Sequence, residues 1–312
     1  MRKKIIMYYG QEKTGPDPFF NFGHKKSVYY YFFEYGKKMG FDMFLASGKK
    51  NYLGELNFKN PLFFDGLKFK PTQEAIQVDA VYDRSGGLNF PSPEIKKILN
   101  NLKFKTLCNN KNSMYVLLGK FMPKSIEIKN QTELKTALLN FPAKKIAVLK
   151  PAAGLGGKGI VIDLPQNLAK VILEEKKEYV LQQFVDTSHG IKNITKEKHD
   201  LRIIIIDGEI IMASVRTPKE GSYLANVAQG GKIQEIDIKK IPAKALVLTK
   251  KIQKILDKKY NYPLYSIDLG FENEQPYVFE LNDQIGFPSE KMPGHKIFMH
   301  KLIKSLEKIA NS

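Results

Sequence analysis

The sequence predicts an α/β layer followed by an α+β unit, and three observations carry that reading. Over the first third of the 312 residues, strand-length apolar runs alternate with amphipathic segments, the rhythm of helices layered on a sheet. Beyond Ser125 the strands come in pairs joined by turn residues, with helices between the pairs. A hydrophobic content of 43% and the chain length allow two or three packed modules with real cores.

In the first module KIIMYY, FDMFLAS and VDAVYDR read as strands, and VYYYFFEYGKKM and PSPEIKKILNNL as helices. KFKTLC reads as a further strand, and NNKNSMYVLLGKF as a helix with an Asn cap, closed by Pro123. The α+β unit then runs SIEI as strand, TELKTALLNF as helix, KIAVLK and GIVIDL as strands around a glycine loop, QNLAKVILEE as helix and YVLQQFV as strand. LRIIII and EIIMASVR are joined by Asp207-Gly208, a two-residue hairpin signal. A loop over 217–231, a helix PAKALVLTKKIQKILDKKY, the hairpin YSIDLGF with PYVFELN, and a closing helix complete the order.

Composition narrows the function classes. No stretch is long and apolar enough for a membrane span, and MRKKIIMYYG reads as the first strand of a cytoplasmic protein, not a signal peptide. The single cysteine, Cys108, allows neither an internal disulfide nor a multi-cysteine metal site and reads as a small buried residue. A formal net charge of +18 invites a phosphate-bearing partner, but the lysines are spread along the chain in short pairs without a basic tail. A solvated lysine-rich surface, attraction of an anionic small substrate and a nucleic-acid contact therefore all stand. Of the 50 basic residues four are arginines: Arg2, Arg84, Arg202 and Arg216. An internal arginine in such a chain marks either a structural ion pair or a place where a planar, permanently charged fork is wanted.

The loop KPAAGLGGKGIV contains a literal G-x-G-x-x-G, the dinucleotide fingerprint, which requires a helix opening at the third glycine. Gly159 is instead followed by Ile160-Val161-Ile162, a β-branched run that favours a strand. A P-loop would need glycine where Ala152 stands and a hydroxyl where Gly159 stands. What remains is a hairpin whose glycines let backbone N–H groups converge on phosphate oxygens, with Lys150 and Lys158 beside them, or else a flexible solvent turn.

In the last hairpin Tyr277, Phe279 and Leu281 are expected on one face, while Asp268, Glu280 and Asn282 meet on the other. Three hard oxygen donors suit Mg²⁺, although acids on a solvated sheet face give the same pattern.

Taken in order, Lys, K-P-x-x-G-x-G-G-x-G, LQQFV, HDLR, an arginine before a long loop, N-x-x-x-G-G and D…E-L-N resemble the ATP-grasp superfamily over residues 108–290. Within it the pattern is similar to the glutathione synthetase and RimK-like carboxylate-amine ligases. The resemblance implies an ATP-grasp fold with an N-terminal α/β (pre-ATP-grasp) module. It divides the chain into that module over 1–107, a central subdomain with the glycine lid over 108–185, and a C-terminal subdomain with the metal site over 186–312. It implies ATP and Mg²⁺, with Mn²⁺ as an alternative ion, and amide or peptide bond formation through an acyl phosphate.

Residue by residue, the resemblance sets Lys111, Lys150, Gly154, Gly156 and Gly157 on the ATP phosphates, and Gln182, Gln183, Phe184 and Val185 on the adenine. Gln183 stands where many relatives have Glu. Arg202 and Arg216, with Asn226, fall on catalytic positions, and Asp268, Glu280 and Asn282 on the metal ligands. Arg84 matches no motif position and reads as a structural residue or a contact to a substrate carboxylate or phosphate.

With Asp207-Gly208 as the whole turn, strict pairing sets Arg216 opposite His199, on the other face from Arg202, unless a bulge intervenes. His24 reads as a helix-entry residue, His189 and His199 flank the adenine side, His295 and His300 read as surface residues, and Tyr223 is a candidate acceptor-pocket wall. The partners implied are a small-molecule or peptide carboxylate and an amine. A homo-oligomer stays open, as do an ATP-binding scaffold with a nucleic-acid or regulatory role and a small-molecule kinase without ligation.

Overall fold

The computed structural model describes residues 2–13, 17–85, 96–154, 156–225, 230–260 and 264–312. Four sheets are built from these residues. The first uses β1 (Lys4–Tyr9), β2 (Asp42–Ser47), β5 (Leu62–Phe64), β6 (Phe69–Pro71), β8 (Ala80–Asp83) and β9 (Ile98–Leu99), in the order β6-β5-β2-β1-β8-β9. The central strands β2, β1, β8 and β9 are mutually parallel. They are buried on both faces, which explains their near-continuous apolar sequences. A small sheet β3-β4-β7, from Tyr52–Gly54, Asn57–Phe58 and Ile76–Gln77, lies within the same stretch of chain.

Helix α1 (Lys26–Lys38) turns Val28, Tyr29, Phe32 and Phe33 into the first core, the spacing of one helical face. Two sequence expectations change here. The described part of the expected helix 91–102 contains β9, paired parallel to β8. The expected strand 103–108 is helix α2 (Leu102–Asn109), because the Asn101 side chain accepts from Phe104 N and caps it. Asn110 then caps α3 (Lys111–Leu118) through Ser113 N. Cys108 is buried in the second core.

A four-stranded antiparallel sheet, β10-β13-β11-β12, follows, from Ser125–Ile128, Tyr179–Gln183, Ala147–Pro151 and Val161–Asp163. Helix α4 (Gln131–Leu138) covers one face. The expected helix 166–175 is only one turn, α5 (Pro165–Leu168).

The last sheet is antiparallel in the order β16-β15-β14-β17-β18, from Lys232–Ile236, Glu209–Thr217, Asp200–Ile206, Leu264–Glu272 and Gln275–Asn282. Strand β16 arises inside sequence expected to be the approach to a helix. Leu201, Ile203 and Ile205 of β14 face a core with α2, α3 and α6 (Ala243–Asp257). Ile204 and Ile206 face the opposite side, where α7 (His295–Asn311) packs between this sheet and the first one. Asp200 and Arg202 share that alternation but lie nearer the strand's start, beyond the cover of α7.

Buried side chains lock the modules beside the candidate site. Asn100 donates to Leu264 O and Asp283 O and accepts from Leu264 N. Lys105 donates to Asp83 O at 3.0 Å and to Asp283 Oδ2 at 3.1 Å. Arg84, at the carboxyl end of β8, donates through Nη1 to Tyr82 Oη at 2.8 Å and to Ile285 O at 2.7 Å. Its guanidinium lies 5.5 Å from both the Tyr82 and Phe287 ring centres. These contacts are structural, and all three cross to the segment that follows Asn282. Among the described residues no helix is long and apolar enough to cross a membrane.

Candidate active site

Strands β11 and β12 pair from Ala147↔Asp163 to Leu149↔Val161, so the glycine stretch is the turn of a hairpin. Gly154, Gly156, Gly157 and Gly159 all have positive φ, a conformation that costs side-chain-bearing residues energy. The turn curls over Lys111, whose Nζ donates to Gly154 O at 3.0 Å while its backbone N–H bonds Ala152 O.

Lys150 lies under the turn and is 6% exposed. Its Nζ donates to Gln182 Oε1 at 2.8 Å, and Gln182 Nε2 donates in turn to Ser125 Oγ at 2.8 Å. Burial lowers the Lys150 ammonium to about 8, with Glu280 pulling the other way and Lys111 adding to the fall. Burial also lowers Lys111, against the pull of Glu280. Two cations thus face one cleft with little carboxylate compensation.

The nine residues expected at the nucleotide, Lys111, Lys150, Gly154, Gly156, Gly157 and Gln182 to Val185, all line this cleft, and so do Arg216, Asp268 and Glu280. The side chain of Gln182 is spent on Lys150 and Ser125, so at this position the sequence marks a positioning residue. Phe184 meets Tyr223 edge-on at 5.2 Å, and Lys198 lies 4.0 Å over the Tyr223 ring. Arg202 and Asn282 are not among the lining residues, but each bonds Asp268, which is. Asn226 falls outside the described residues.

The two arginines and the carboxylates form one buried network. Arg202 holds Asp268 with two bonds, Nε to Oδ1 at 2.8 Å and Nη2 to Oδ2 at 2.7 Å. Arg216 holds Asp200 in the same forked manner and bonds Asp268 Oδ2 at 2.7 Å. Burial pushes Asp200 up to about 6, opposed by Arg216 and reinforced by Asp268. At Asp268 burial acts upward too, but Arg202 and Arg216 outweigh it and hold the carboxyl down at about 2.

The face of Arg216 is decided by a bulge. Register runs Asp200↔Arg216 and Arg202↔Ser214, then shifts between Ile204↔Met212 and Ile205↔Ile210, leaving Ile211 over. Asp207 and Gly208 both have positive φ, so the two-residue turn is kept, and the extra residue inverts the strict-pairing expectation.

A second bulge corrects the expected face of Phe279. Asp268 pairs Glu280 but Leu269 pairs Val278, so Val278 and Leu281 enter the core while Phe279 lines the cleft. Its ring lies over Gly270, where a Cβ would come within 2.0 Å of Phe279 Cζ. With Val148, Ile160 and Ile162 it supplies apolar wall that motif matching missed. The only sequence signal was Gly270 itself, a glycine inside a strand pattern.

The donor set suits a hard divalent cation. Asn282 Nδ2 donates to Asp268 Oδ2 at 3.0 Å and to Glu280 Oε1 at 3.2 Å, so an electropositive group already bridges the two carboxylates. Turning the amide over presents its oxygen to the same point, giving oxygen ligands only, as Mg²⁺ prefers. No cluster of three or more His, Cys, Asp or Glu occurs among the described residues.

His189 and His295 depart from expectation, while His24, at the entry to α1, and His199 and His300 meet it. His24 and His189 are exposed and away from the cleft. His300 bonds Tyr35 Oη through Nδ1 and is exposed. His295, expected at the surface, is buried with Nδ1 on Pro288 O. His199 is buried and lines the cleft.

Residues 112–267 match the family described as "Prokaryotic glutathione synthetase, ATP-grasp domain". A tetrahydromethanopterin:alpha-L-glutamate ligase from Methanocaldococcus jannaschii is 36% identical over 99 residues, 30% of this chain and 32% of that protein. A probable alpha-L-glutamate ligase from Legionella pneumophila is 26% identical over 167 residues, 52% of this chain and 50% of that protein. The chain thus spans about half, or less, of these relatives. In fold it is similar to D-alanyl-alanine synthetase A from Vibrio cholerae, with TM-score 0.67 and 13% identity over 100% of this chain and 99% of that one. The RimK domain protein ATP-grasp from Sphaerobacter thermophilus gives TM-score 0.57 and 12% identity over 99% of this chain and 98% of the other.

Proposed function

The chain belongs to the prokaryotic glutathione synthetase ATP-grasp family, and from that premise we propose that it joins a carboxylate to an amine as ATP becomes ADP and phosphate. One observation carries the reading: the glycine hairpin, two buried lysines, Arg216 and the Asp268–Glu280 pair open onto a single cleft. We include in the proposal the division into modules at 1–107, 108–185 and 186–312.

The chemistry asks for charge placement more than for a nucleophile on the protein. A carboxylate oxygen of the substrate attacks the γ-phosphorus and ADP leaves. The amine nitrogen then attacks the acyl carbon, a tetrahedral intermediate forms, and phosphate departs as the amide closes. Lys111 and Lys150 bind the phosphates from below, and the glycine turn covers them with backbone N–H groups. Arg216, fixed by Asp200 and Asp268, presents an oriented cation to the transferring phosphoryl group and the oxyanion. Asp268, Glu280 and Asn282 would hold Mg²⁺, which would supply charge neutralisation at the phosphates. Phe279, Val148, Ile160 and Ile162 supply the apolar surface for the base.

Within the family we favour a RimK-like ligase with L-glutamate as the amine. Two relatives named alpha-L-glutamate ligases support this, and the net charge of +18 suits an acidic amino acid. The test is ADP release across a panel of carboxylates with and without L-glutamate, using Arg216→Ala and Glu280→Ala as controls. Amine-dependent release lost in both controls is expected. A phosphorylated product formed without amine would make the protein a kinase, and full turnover in both variants would overturn the site.

A further inference from the structure

A second groove lies outside the cleft and shares no lining residue with it. It opens between the first half of α6, the turn Gly119–Phe121 that follows α3, and the start of β18. Its volume of about 370 Å³ is that of a ligand site. Lys111, at the head of α3, lines the cleft, whereas Lys120, past its tail, borders the groove. At helical rise the two are roughly 13 Å apart along the axis.

The make-up of the groove is one-sided. Helix α6 turns Ala245, Leu248, Ile252 and Leu256 into the second core, which leaves Lys244, Val247 and Lys251 as an outward stripe at i, i+3 and i+7. Val247 is 53% exposed, and the half-buried rings of Phe121 and Tyr277 extend the apolar floor. Lys120 Nζ lies 4.9 Å over the Phe121 ring. No acid lines the groove, and among the described residues none of the three lysines has a carboxylate partner. A helix facing only water gains from acids set four residues from its lysines, yet the acid of α6 is Asp257, beyond the groove.

We propose that this groove docks an acidic peptide segment of a partner protein, with carboxylates on Lys120, Lys244 and Lys251 and an apolar side chain between them on Val247, Phe121 and Tyr277. Charge and shape decide the occupant. A second copy of the chain, at net +18, brings the same excess of lysine and is repelled. Nucleic acid is read and gripped largely through arginine forks, and no arginine lines the groove. A bilayer takes up an apolar face that protrudes, whereas Phe121 and Tyr277 are recessed. A peptide that carries both carboxylates and a large apolar side chain satisfies rim and floor together. Such a partner is held away from the reacting cleft, so the docking does not depend on the chemistry proposed above.

The experiment follows a fluorescein-labelled peptide, Glu-Glu-Leu-Leu-Glu-Glu, by anisotropy as the chain is added at low and at physiological salt. Binding is expected at low salt, weaker as salt rises, and about tenfold weaker when Lys244→Glu and Lys251→Glu are combined. Lys135→Glu with Lys144→Glu makes the same change in net charge at exposed lysines away from the groove and is expected to bind as the parent does. Val247→Asp, and serine in place of leucine in the peptide, are each expected to weaken binding. Carbodiimide coupling of the bound peptide to the unmodified chain, read by mass spectrometry, locates it without any variant, with amide links expected at Lys120, Lys244 and Lys251. Links gathered at Lys111 or Lys150, or spread evenly over the lysines, overturn the assignment. So do equal losses in the two charge-reversal pairs, displacement of the peptide from those lysines by oligouridylate or by phosphatidylserine vesicles in preference to unlabelled peptide, and no anisotropy change at low salt.

Discussion

Asp200 and Arg216 face each other across β14 and β15 because Ile211 is left over in the register between them and the turn. The pair is buried, and Arg216 is shared with Asp268. Removing the arginine leaves Asp200 without its cation in the interior, while Asp268 keeps its fork to Arg202. Arg216→Ala is expected to lose about 3 to 5 kcal/mol of stability together with turnover. Adding Asp200→Asn is expected to return much of the stability in urea melts and none of the ADP release. Recovery of both would reduce Arg216 to a structural ion.

Lys150 titrates at about 8, so it is charged at neutral pH and loses its proton as pH rises through that value. Affinity for ATP is expected to fall over the same range, and Lys150→Met to bind about ten- to a hundredfold more weakly, without the inflection. Stability moves the opposite way. The folded value lies below the unfolded value of about 10.4, so the unfolded chain holds more protons between the two and folding strengthens as pH rises across that window. Comparing melting of the parent and Lys150→Met from pH 7 to 10 checks the sign.

Glu280→Gln should leave the fold intact and raise the Mg²⁺ concentration for half-maximal ADP release by about tenfold or more. Displacement of Mn²⁺ from the protein, followed by its electron spin resonance, reads the same loss without turnover. An unchanged Mn²⁺ affinity would remove Glu280 from the ligand set.

Gly270→Ala drives a methyl group into the Phe279 ring, which must swing from its place in the cleft wall. A loss of about 1 to 3 kcal/mol is expected, with weaker ATP binding in calorimetry. Pairing it with Phe279→Ala is expected to relieve the clash while the nucleotide stays weakly bound. Normal ATP affinity in the double variant would remove Phe279 from the base site.

The parts of this architecture that were legible in the sequence obey local rules. Asp207-Gly208 announced its hairpin, and the β-branched run after Gly159 announced a strand. What escaped depends on one-residue geometry or on distant partners. Ile211 and Phe279 are surplus residues whose neighbours alternate as in any strand, so nothing in the sequence marks where pairing slips. KFKTLC reads as alternating, yet the Asn101 cap and burial of Phe104 against the last sheet make it a helix. His295 looks like a surface histidine until Pro288 and Tyr31 close around it. Gln182 is polar within an apolar run, but only folding shows that its purpose is to hold Lys150.

The position of α7 imposes an order on synthesis. Ile5, Met7 and Tyr82 of the first sheet bury against Phe298, Leu302 and Leu306, which follow them by more than 200 residues. Until the ribosome has extruded those residues, one flank of the earliest strands is open hydrophobic surface. The amino-terminal layer therefore completes its core only once α7 has emerged, which ties its maturation to the segment that also packs on the last sheet.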